Sequence, residues 1–411
     1  MHSARSVRPR SSARERLARM SASNTTDIAQ LRDTLRRFID REMPRAEAAR
    51  WDKENSFPRA VHAGLAELGV LGLTVPEEYG GLGRDIVATM VVIEELSRRS
   101  LAVSVPYIMG ACYAGMNLVE CGSPEQKRTL LPRVVSGDLL FAYGWTEPDV
   151  GADLASVSTT VERRGGKLVV NGHKRFCSGA EICDYIFTLA RSGPREERHR
   201  NLSVVLIPPD APGVSISRIE SLGMKGAATT DVSFDDVEVP EERLLGGDEG
   251  WNRGWAFITG SGLDVEKLEV AAIALGVGQA ALDDAKEYST QRRQFAKPIS
   301  EYQSIRHKLA EMTAQMHAAR LVLYNAASLA QSGRPCAQET SMAKLVATEA
   351  AKAVALECQT IFGAYGYVKG FDVERYVRDA LLLPIIGGSS AVQKNNIYKA
   401  MLDREPVVAL F

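Results

Sequence analysis

Apolar residues recur every three to four positions through the N-terminal third of the chain, starting with Ile28, Leu31, Leu35 and Phe38. This spacing places them on one face of an α-helix, and similar periods continue up to and beyond a proline- and glycine-rich turn. We therefore predict an N-terminal helical domain over residues 25–140.

The pattern then changes to short runs of β-branched and aromatic residues between turns. The pairs Gly165-Gly166 and Asn171-Gly172 are typical of tight turns between strands, and the later run TTDVSFDDVEVP largely alternates apolar and polar residues. Five or more short strands without intervening helices indicate a compact antiparallel barrel or sandwich. We assign residues 141–247 to this middle β domain.

The helical period returns after Gly250 and continues towards the end of the chain. Three long helices and a shorter final one predict a C-terminal four-helix bundle over residues 248–411, so the fold class is α+β. The stretch Gly276–Ala281 matches the GxGxxA pattern of dinucleotide-binding folds. No strand–helix–strand alternation follows it, so we interpret its glycines as sites of close helix packing.

Composition narrows the class of protein. The chain has 411 residues, is 45% hydrophobic and 25% charged, and carries a formal net charge of −1, which argues against a nucleic-acid-binding surface. No apolar run approaches the roughly 20 residues of a membrane span. The six cysteines form no CxxC pair and the six histidines no HExxH motif, so we predict reduced thiols and no metal site.

The beginning of the chain is rich in Arg and Ser and poor in acidic residues. We predict that residues 1–24 form a disordered extension of a cytoplasmic protein. The alternative is a mitochondrial transit peptide, which would place the protein in the mitochondrial matrix.

Two segments carry candidate chemistry. The first reads AYGWTEPDVGAD, a turn whose backbone N–H groups and Thr146 hydroxyl can hydrogen-bond the carbonyls of a flavin ring. In the second, Phe176 stands two residues before Ser178, so that an aromatic ring can cover the flavin while a hydroxyl meets its N5 atom.

Four segments in matching order resemble acyl-CoA dehydrogenases: TEPDVGAD, LGMKGAATTDVSFDDVEVP, RRQFAKPISEYQ and IFGAYGYVKGFDVERYVRDALLL. The resemblance implies an N-terminal helical domain, a middle β domain and a C-terminal four-helix bundle. It also implies a homotetramer, a dimer of dimers, with FAD bound between subunits. The implied reaction oxidises an acyl-CoA to its 2-enoyl form and passes the electrons to an electron-transfer flavoprotein.

The resemblance further implies the cofactor contacts. Arg292 would reach the pyrophosphate of a neighbouring subunit's FAD, because a guanidinium binds phosphate oxygens bidentately. In the adenine-side segment, Thr360 and Ala364 replace the family's Gln and second Gly, so Gly363 is the retained contact. The residues carried over to FAD are Tyr143, Trp145, Thr146, Gly151, Phe176, Ser178, Arg292, Gln294, Phe295, Gln303, Gly363 and Ser389.

The position of the base that removes the substrate α-proton differs between branches of the family. Many members place a glutamate in the segment that reads LLLPIIGGSSAVQ here, where this chain has Gly387. The segment GLDVEKLEVA instead resembles the subset, including isovaleryl-CoA dehydrogenase, whose glutamate lies on the first bundle helix. Glu266 is therefore the expected base, with a pKa raised by burial. Asp264 and Glu269 are interpreted as lying on other faces of that helix.

Three residues are expected on the substrate side. Gly387 keeps a backbone N–H that can donate to the thioester carbonyl. Lys267 replaces the arginine that usually follows the base in this family. The lysine keeps the positive charge but lacks the planar guanidinium group. Ala152 stands where many members have a serine that contacts the CoA side.

These departures leave alternatives open. An acyl carrier protein rather than CoA could present the acyl group, and the same fold could serve an enoyl-CoA reductase. A flavin monooxygenase relative would not need Glu266. A non-catalytic helical scaffold would retain FAD only as a structural group.

Overall fold

The structure is a computed structural model that describes residues 25–409. The predicted disordered extension at residues 1–24, with its transit-peptide alternative, lies outside the described residues. Within them the chain runs from helices to strands and back to helices, which confirms the predicted three-domain fold.

The N-terminal helices bury the faces that the sequence periodicity marks. Leu31, Leu35 and Phe38 are buried on the first helix, which packs against the fourth. Asp85 caps that fourth helix by accepting a hydrogen bond from the Ala88 N–H at 2.8 Å. The helices of this domain are α1 (Thr25–Glu42), α2 (Arg45–Glu54), α3 (Arg59–Leu68), α4 (Ile86–Ser97), α5 (Leu101–Ile108), α6 (Asn117–Cys121) and α7 (Pro124–Val135).

Between α5 and α6 the helix widens into a π segment, Met109–Met116. The continuous run Leu101–Cys121 is long and apolar enough to cross a membrane by length and composition, so the expectation that no such run exists was wrong. The protein itself surrounds this run, because 89% of its most apolar window is buried inside the fold. It is a central core helix of the N-terminal domain.

The middle domain consists of seven strands, β1 (Phe141–Gly144), β2 (Thr160–Arg164), β3 (Lys167–Ser178), β4 (Tyr185–Arg191), β5 (Leu202–Ile207), β6 (Val214–Arg218) and β7 (Thr229–Pro240). They form one sheet in the order β1-β4-β2-β3-β7-β6, with β5 also paired to β4. Most neighbours are antiparallel, as predicted, but β1 and, through a single residue pair, β2 run parallel to β4. Parallel pairing needs a crossover connection, and the β2–β3 hairpin lies within the one between β1 and β4.

The C-terminal domain consists of α8 (Gly254–Thr259), α9 (Ser261–Gln291), the hairpin strands β8 (Arg293–Gln294) and β9 (Lys297–Pro298), α10 (Gln303–Gln331), α11 (Ala337–Phe362), α12 (Val373–Leu382) and α13 (Ser390–Met401). The three long helices were predicted. Two short helices, rather than one, complete the bundle by packing on α11. The segment between them contains a proline and two consecutive glycines, which end α12 and re-aim the chain.

Helix α9 connects the bundle to the N-terminal domain by packing on α4 as well as on α10 and α11. A Cβ on Gly276 would lie 2.4 Å from the Glu94 carbonyl oxygen, and one on Gly278 would lie 2.7 Å from the Met316 sulfur. Only a residue without a side chain permits these approaches. The interpretation of Gly276–Ala281 as a helix-packing stretch is confirmed.

Candidate active site

The π segment brings the side chains of Cys112 and Tyr113 to the surface of α9. Its wider turn accommodates an extra residue, and Thr74 Oγ1 donates to the Ala111 carbonyl oxygen at 2.5 Å inside it. Cys112 and Tyr113 follow directly. π segments are rare and concentrate at functional sites, so this irregularity is itself a signal that the sequence periodicity did not show.

The helix from the π segment onwards runs antiparallel to the start of α9. A Cβ on Gly262 would lie 3.4 Å from Asn117 Oδ1, which fixes the register. Tyr113 lies one turn before Asn117, and Glu266 lies one turn after Gly262. The two side chains face each other closely enough for the Glu266 carboxylate to raise the pKa of the Tyr113 phenol, although burial has the larger effect.

An aromatic stack joins this helix pair to the turn after β1. The rings of Tyr113 and Tyr143 are stacked with centroids 3.7 Å apart, and Tyr143 stacks on Trp145 at 4.2 Å. Asn117 Nδ2 donates to the Tyr143 hydroxyl at 2.6 Å. The buried indole N–H of Trp145 has no acceptor within residues 25–409, and a buried donor of this kind normally finds one.

A buried ion pair, which the sequence analysis did not identify, supports the same turn. Lys174 Nζ lies 2.8 Å from Glu147 Oε1 and donates to the Trp145 carbonyl at 3.1 Å. The Glu147 carboxylate also accepts from the N–H groups of Ser158 and Thr159 at 2.7 and 2.9 Å. Although burial opposes ionisation, these partners lower the pKa of Glu147 to about 2.

The opposite wall of the turn is formed by β3. Its register with β7 shifts after Lys174, which leaves Phe176 at φ +61° with a ring that is 56% exposed. The Arg175 N–H donates to the Thr146 carbonyl at 2.8 Å, so the strand and the turn are directly connected. Ser178 follows Phe176 on the same strand and is half-buried.

Glu266 lies on the second turn of α9 and is half-buried. Loss of solvation raises the pKa of its carboxyl from an ordinary 4.5 to about 7, against the opposing influence of the Lys267 and Lys344 ammonium groups. A carboxyl whose pKa is close to neutral exchanges a proton readily near neutral pH, which is the property required of a general base.

The interpretation of Glu269 as a residue on another helix face was wrong, because residues three apart on a helix are neighbours. Glu269 is only 4% exposed. Burial and the adjacent Glu266 raise the pKa of its carboxyl to about 8, while a hydrogen bond with Cys112 acts in the opposite direction. The site therefore contains two neighbouring acidic side chains rather than one.

The loop before α13 approaches the same face of α9. Gly387 has φ +59°, and a Cβ there would lie 2.9 Å from Cγ2 of Val270, one turn after Glu266. Gln393 Nε2 donates to the carbonyl oxygens of Gly387 and Gly388 at 3.0 and 2.9 Å. These bonds fix the loop through its carbonyls and do not use its N–H groups.

The other residues predicted near the substrate and flavin occupy less central positions. Lys267 is buried and donates to Asp264 at 2.9 Å, so it is bound within the bundle. Ser389 accepts from a backbone N–H as the N-cap of α13. Gly151 and Ala152 are exposed in the loop after the TEP turn.

The remaining predicted cofactor residues are not brought to Glu266. Arg292 comes 26 positions after Glu266, at the far end of α9, which corresponds to about 39 Å along a helix. There the guanidinium carbon of Arg292 lies 5.7 Å from the centroid of the Tyr365 ring, and Phe295 is 91% exposed at the tip of the β8–β9 hairpin. The residues of this second cluster are Arg292, Gln294, Phe295, Gln303 and Gly363.

A cavity of about 410 Å³ lies beside the second cluster and not beside Glu266. Its wall includes the stacked rings of Tyr288 and Phe362, whose centroids are 4.0 Å apart. Among residues 25–409 no group of acidic, histidine and cysteine side chains has the arrangement of a metal site.

Comparisons with known proteins agree with this architecture. Models of the acyl-CoA dehydrogenase N-terminal, middle and C-terminal domains match residues 25–138, 142–237 and 252–402. An acyl-CoA dehydrogenase of Bacillus subtilis (strain 168) is 37% identical over 381 residues, which cover 92% of this chain and 98% of that protein. Subunit CarC of the caffeyl-CoA reductase-Etf complex of Acetobacterium woodii is 33% identical, with 91% of this chain and 98% of that protein covered.

A solved structure shows the same fold. The complex of glutaryl-CoA dehydrogenase with glutaryl-CoA superimposes with a TM-score of 0.87 at 34% sequence identity, covering 95% of this chain and 100% of that chain. The family models match this chain in the order N-terminal, middle and C-terminal domain. The chain belongs to the acyl-CoA dehydrogenase family.

Proposed function

We propose that this protein is an FAD-dependent acyl-CoA dehydrogenase in which Glu266 removes the α-proton of the substrate. The observation that carries the proposal is the setting of Glu266, half-buried between the Tyr113–Tyr143 stack and the turn at Gly387. Burial brings the pKa of its carboxyl to about 7. The carboxylate can therefore accept a proton from a weakly acidic carbon and release it again near neutral pH.

The residues around Glu266 have separate roles in this reaction. A bound flavin would supply the acceptor for the hydride that leaves the substrate β-carbon. Glu266 takes and holds the α-proton, and the Gly387 N–H donates to the thioester carbonyl, where negative charge develops. Tyr113 and Tyr143 lie close enough to the Glu266 carboxylate for it to raise the pKa of both phenols, and their stacked rings limit the hydration of the carboxyl.

The residues present fit an FAD. The indole N–H of Trp145, which has no acceptor within the described residues, could donate to the pyrimidine ring of a flavin, which offers several acceptors. Thr146, Phe176 and Ser178 would hold the ring system. Arg292 would hold the phosphates, since a guanidinium pairs well with phosphate oxygens.

The proposal requires a second copy of the chain to complete each cofactor site. Glu266 and Arg292 stand at opposite ends of α9, about 39 Å apart, which is too far for both to serve one FAD from a single subunit. The exposed hairpin tip at Phe295 is suited to reach a neighbouring subunit. We therefore propose the homotetramer, a dimer of dimers, that the sequence resemblance implies.

A second candidate function is reduction of an enoyl-CoA by the same residues acting in reverse. It is favoured by the 33% identity to a subunit of a caffeyl-CoA reductase-Etf complex. In both directions we propose an electron-transfer flavoprotein as the redox partner. The direction would be set by the potential of that partner rather than by a change of residues at Glu266.

The test mixes purified holoenzyme anaerobically with a panel of acyl-CoA thioesters and follows flavin absorbance. Wild type should bleach, whereas Glu266→Gln should keep its FAD and bleach about 10²- to 10⁴-fold more slowly, the usual contribution of a general base. Glu311→Gln is the matched control, because Glu311 is exposed on α10, and it should behave like wild type. Unchanged bleaching of Glu266→Gln would contradict the assigned base, and a wild type inert to every thioester would contradict the function.

A further inference from the structure

Lys344 is a buried cation without a visible partner. Its side chain is fully buried on α11, and its Nζ has no hydrogen-bond partner within the described residues, 25–409. Loss of solvation lowers the pKa of the ammonium to about 8. Buried lysines are rare unless they are paired. An unpaired one destabilises the folded protein, so we expect a function to account for it.

The packing of α11 on α9 places Lys344 beside the first turns of α9. Thr340 Oγ1 lies 3.0 Å from Asp264 Oδ1, and further along a Cβ on Gly278 would lie 3.2 Å from the Ala351 Cα. The two helices therefore run in the same direction. Lys344 follows Thr340 by one turn, and because helical side chains lean towards the N-terminus, its long chain returns towards the Thr340–Asp264 contact.

We propose that Lys344 is a positioning residue for the candidate base, whose unpaired ammonium keeps the Glu266 carboxylate ionised and oriented for proton abstraction. This inference rests on the proposed function. The alternative cation, Lys267, is bound to Asp264. The other carboxylate near Lys344, Glu349, is paired with a lysine on the next turn of α11. Lys267 acts more strongly on Glu266, and Glu349 acts more strongly on Lys344, than Glu266 and Lys344 act on each other. Because Lys267 and Glu349 are each held in another ion pair, Glu266 and Lys344 are the two charges of this group that no ion pair within the described residues engages.

The groups that face Glu266 from the other packed elements supply no positive charge. Glu269 is a second acidic group on α9, and Tyr113 and Tyr143 are phenols whose pKa values burial raises further. Cys112, beside Glu269, is likewise a buried thiol with a raised pKa. The cations that act on the carboxylate are therefore Lys267 on α9, which Asp264 holds, and Lys344 on α11.

The test compares Lys344→Met and Lys344→Arg holoenzymes with wild type in the rate of flavin reduction by an acyl-CoA, measured from about pH 5 to 9. In Lys344→Met the midpoint of the rise with pH should move upwards by about one unit, a tenfold loss of rate on the acidic limb. The rate at high pH should change little. Lys344→Arg should restore the midpoint, and Lys308→Met, which removes a half-buried lysine of α10 that is paired with Glu357, should leave it in place.

A stability measurement makes the inference independent of turnover. Lys344→Met should raise the melting temperature, because it removes a buried charge, and the increase should be larger in a Glu266→Gln background, where the lysine has lost its counter-charge. Equal increases in the two backgrounds, or an unshifted pH midpoint in Lys344→Met, would overturn the proposal. A wild type that bleaches normally together with either result refutes the role of Lys344 alone. A wild type that never bleaches refutes the function instead.

Discussion

Val270 occupies the space that a side chain at position 387 would need. A Cβ on Gly387 would come within 2.9 Å of Val270 Cγ2, and the φ of +59° at Gly387 is itself unfavourable for any residue with a side chain. Val270 lies one turn after Glu266 on α9. The helix that carries the candidate base thus also blocks the position that the sequence resemblance gives to the base of the other branch of the family.

The first prediction concerns moving the base. The double variant Glu266→Gly with Gly387→Glu should not recover flavin reduction, because the new side chain meets Val270 and a strained backbone. Adding Val270→Ala should give partial recovery, since it removes the Cγ2 contact. Single-turnover flavin bleaching measures both the double and the triple variant, and Val270→Ala alone is the control. Full recovery in the double variant would show that the loop moves more freely than its hydrogen bonds to Gln393 suggest.

The second prediction concerns the buried ion pair behind the flavin turn. Lys174→Met should destabilise the protein by about 3–5 kcal/mol, because it leaves the Glu147 carboxylate buried without its counter-charge. It should also lower FAD content, since the Lys174 ammonium fixes the Trp145 carbonyl. Urea unfolding and the flavin-to-protein absorbance ratio measure these effects.

A matched control exists for this ion pair. Lys167 and Glu238 form an exposed pair on the same sheet, and Lys167→Met should change stability by less than about 1 kcal/mol. Adding Glu147→Leu to Lys174→Met should restore part of the lost stability, since both charges are then removed. A cost for Lys174→Met no greater than that for Lys167→Met would contradict the structural role given to the buried pair.

The third prediction concerns the far end of α9. Arg292→Ala should reduce the FAD occupancy of the purified protein, because it removes the guanidinium proposed for the phosphates. Arg306→Ala, at an exposed position on α10, should leave occupancy unchanged. Occupancy can be read from the ratio of flavin to protein absorbance after gel filtration, and full occupancy in Arg292→Ala would count against a site shared between subunits.

The fourth prediction concerns pH and stability. The pKa of Glu269 is about 8 in the folded protein and 4.5 in its ordinary state. Below 4.5 the group is protonated in both states. Between 4.5 and 8 only the unfolded chain releases the proton, so wild type loses stability as pH rises through this window.

Glu269→Gln stays neutral, and its free energy of unfolding relative to wild type should therefore increase from about pH 5 to about pH 8. Urea unfolding at the two pH values measures the difference. Glu311→Gln, at an exposed position, should show no such trend. A constant difference between Glu269→Gln and wild type would mean that the carboxyl of Glu269 titrates normally in the folded protein.

Much of the fold could be predicted because it depends on local periodicity. The buried positions Leu31, Leu35 and Phe38 follow from spacing alone, and the change to a two-residue period marks the sheet. The parallel pairing of β1 with β4 could not be predicted in this way, since it joins segments separated by a whole hairpin. The π segment was also missed, because one extra residue in a buried helix leaves no trace in an almost wholly apolar stretch.

The candidate site could likewise be predicted only in part. Motif resemblance led to Glu266 and to the TEP turn, since both are contiguous in sequence. The Glu147–Lys174 pair spans 27 positions, and neither residue stands out before the chain is folded. Lys344 is one of many lysines in a helical pattern, and only its burial without a partner distinguishes it.

The π segment also determines how insertions and deletions act here. An α-helical residue advances the helix by about 100° of rotation, and the segment Met109–Met116 absorbs one surplus residue in its wide turn. Deleting that surplus residue would restore ordinary winding without turning the helix that follows, so Asn117 would keep its contact with Tyr143. Deleting a residue from an ordinary turn, where nothing is surplus, would instead rotate everything after it by about that angle. The helix therefore tolerates the loss of one residue within Met109–Met116 better than in the regular turns on either side.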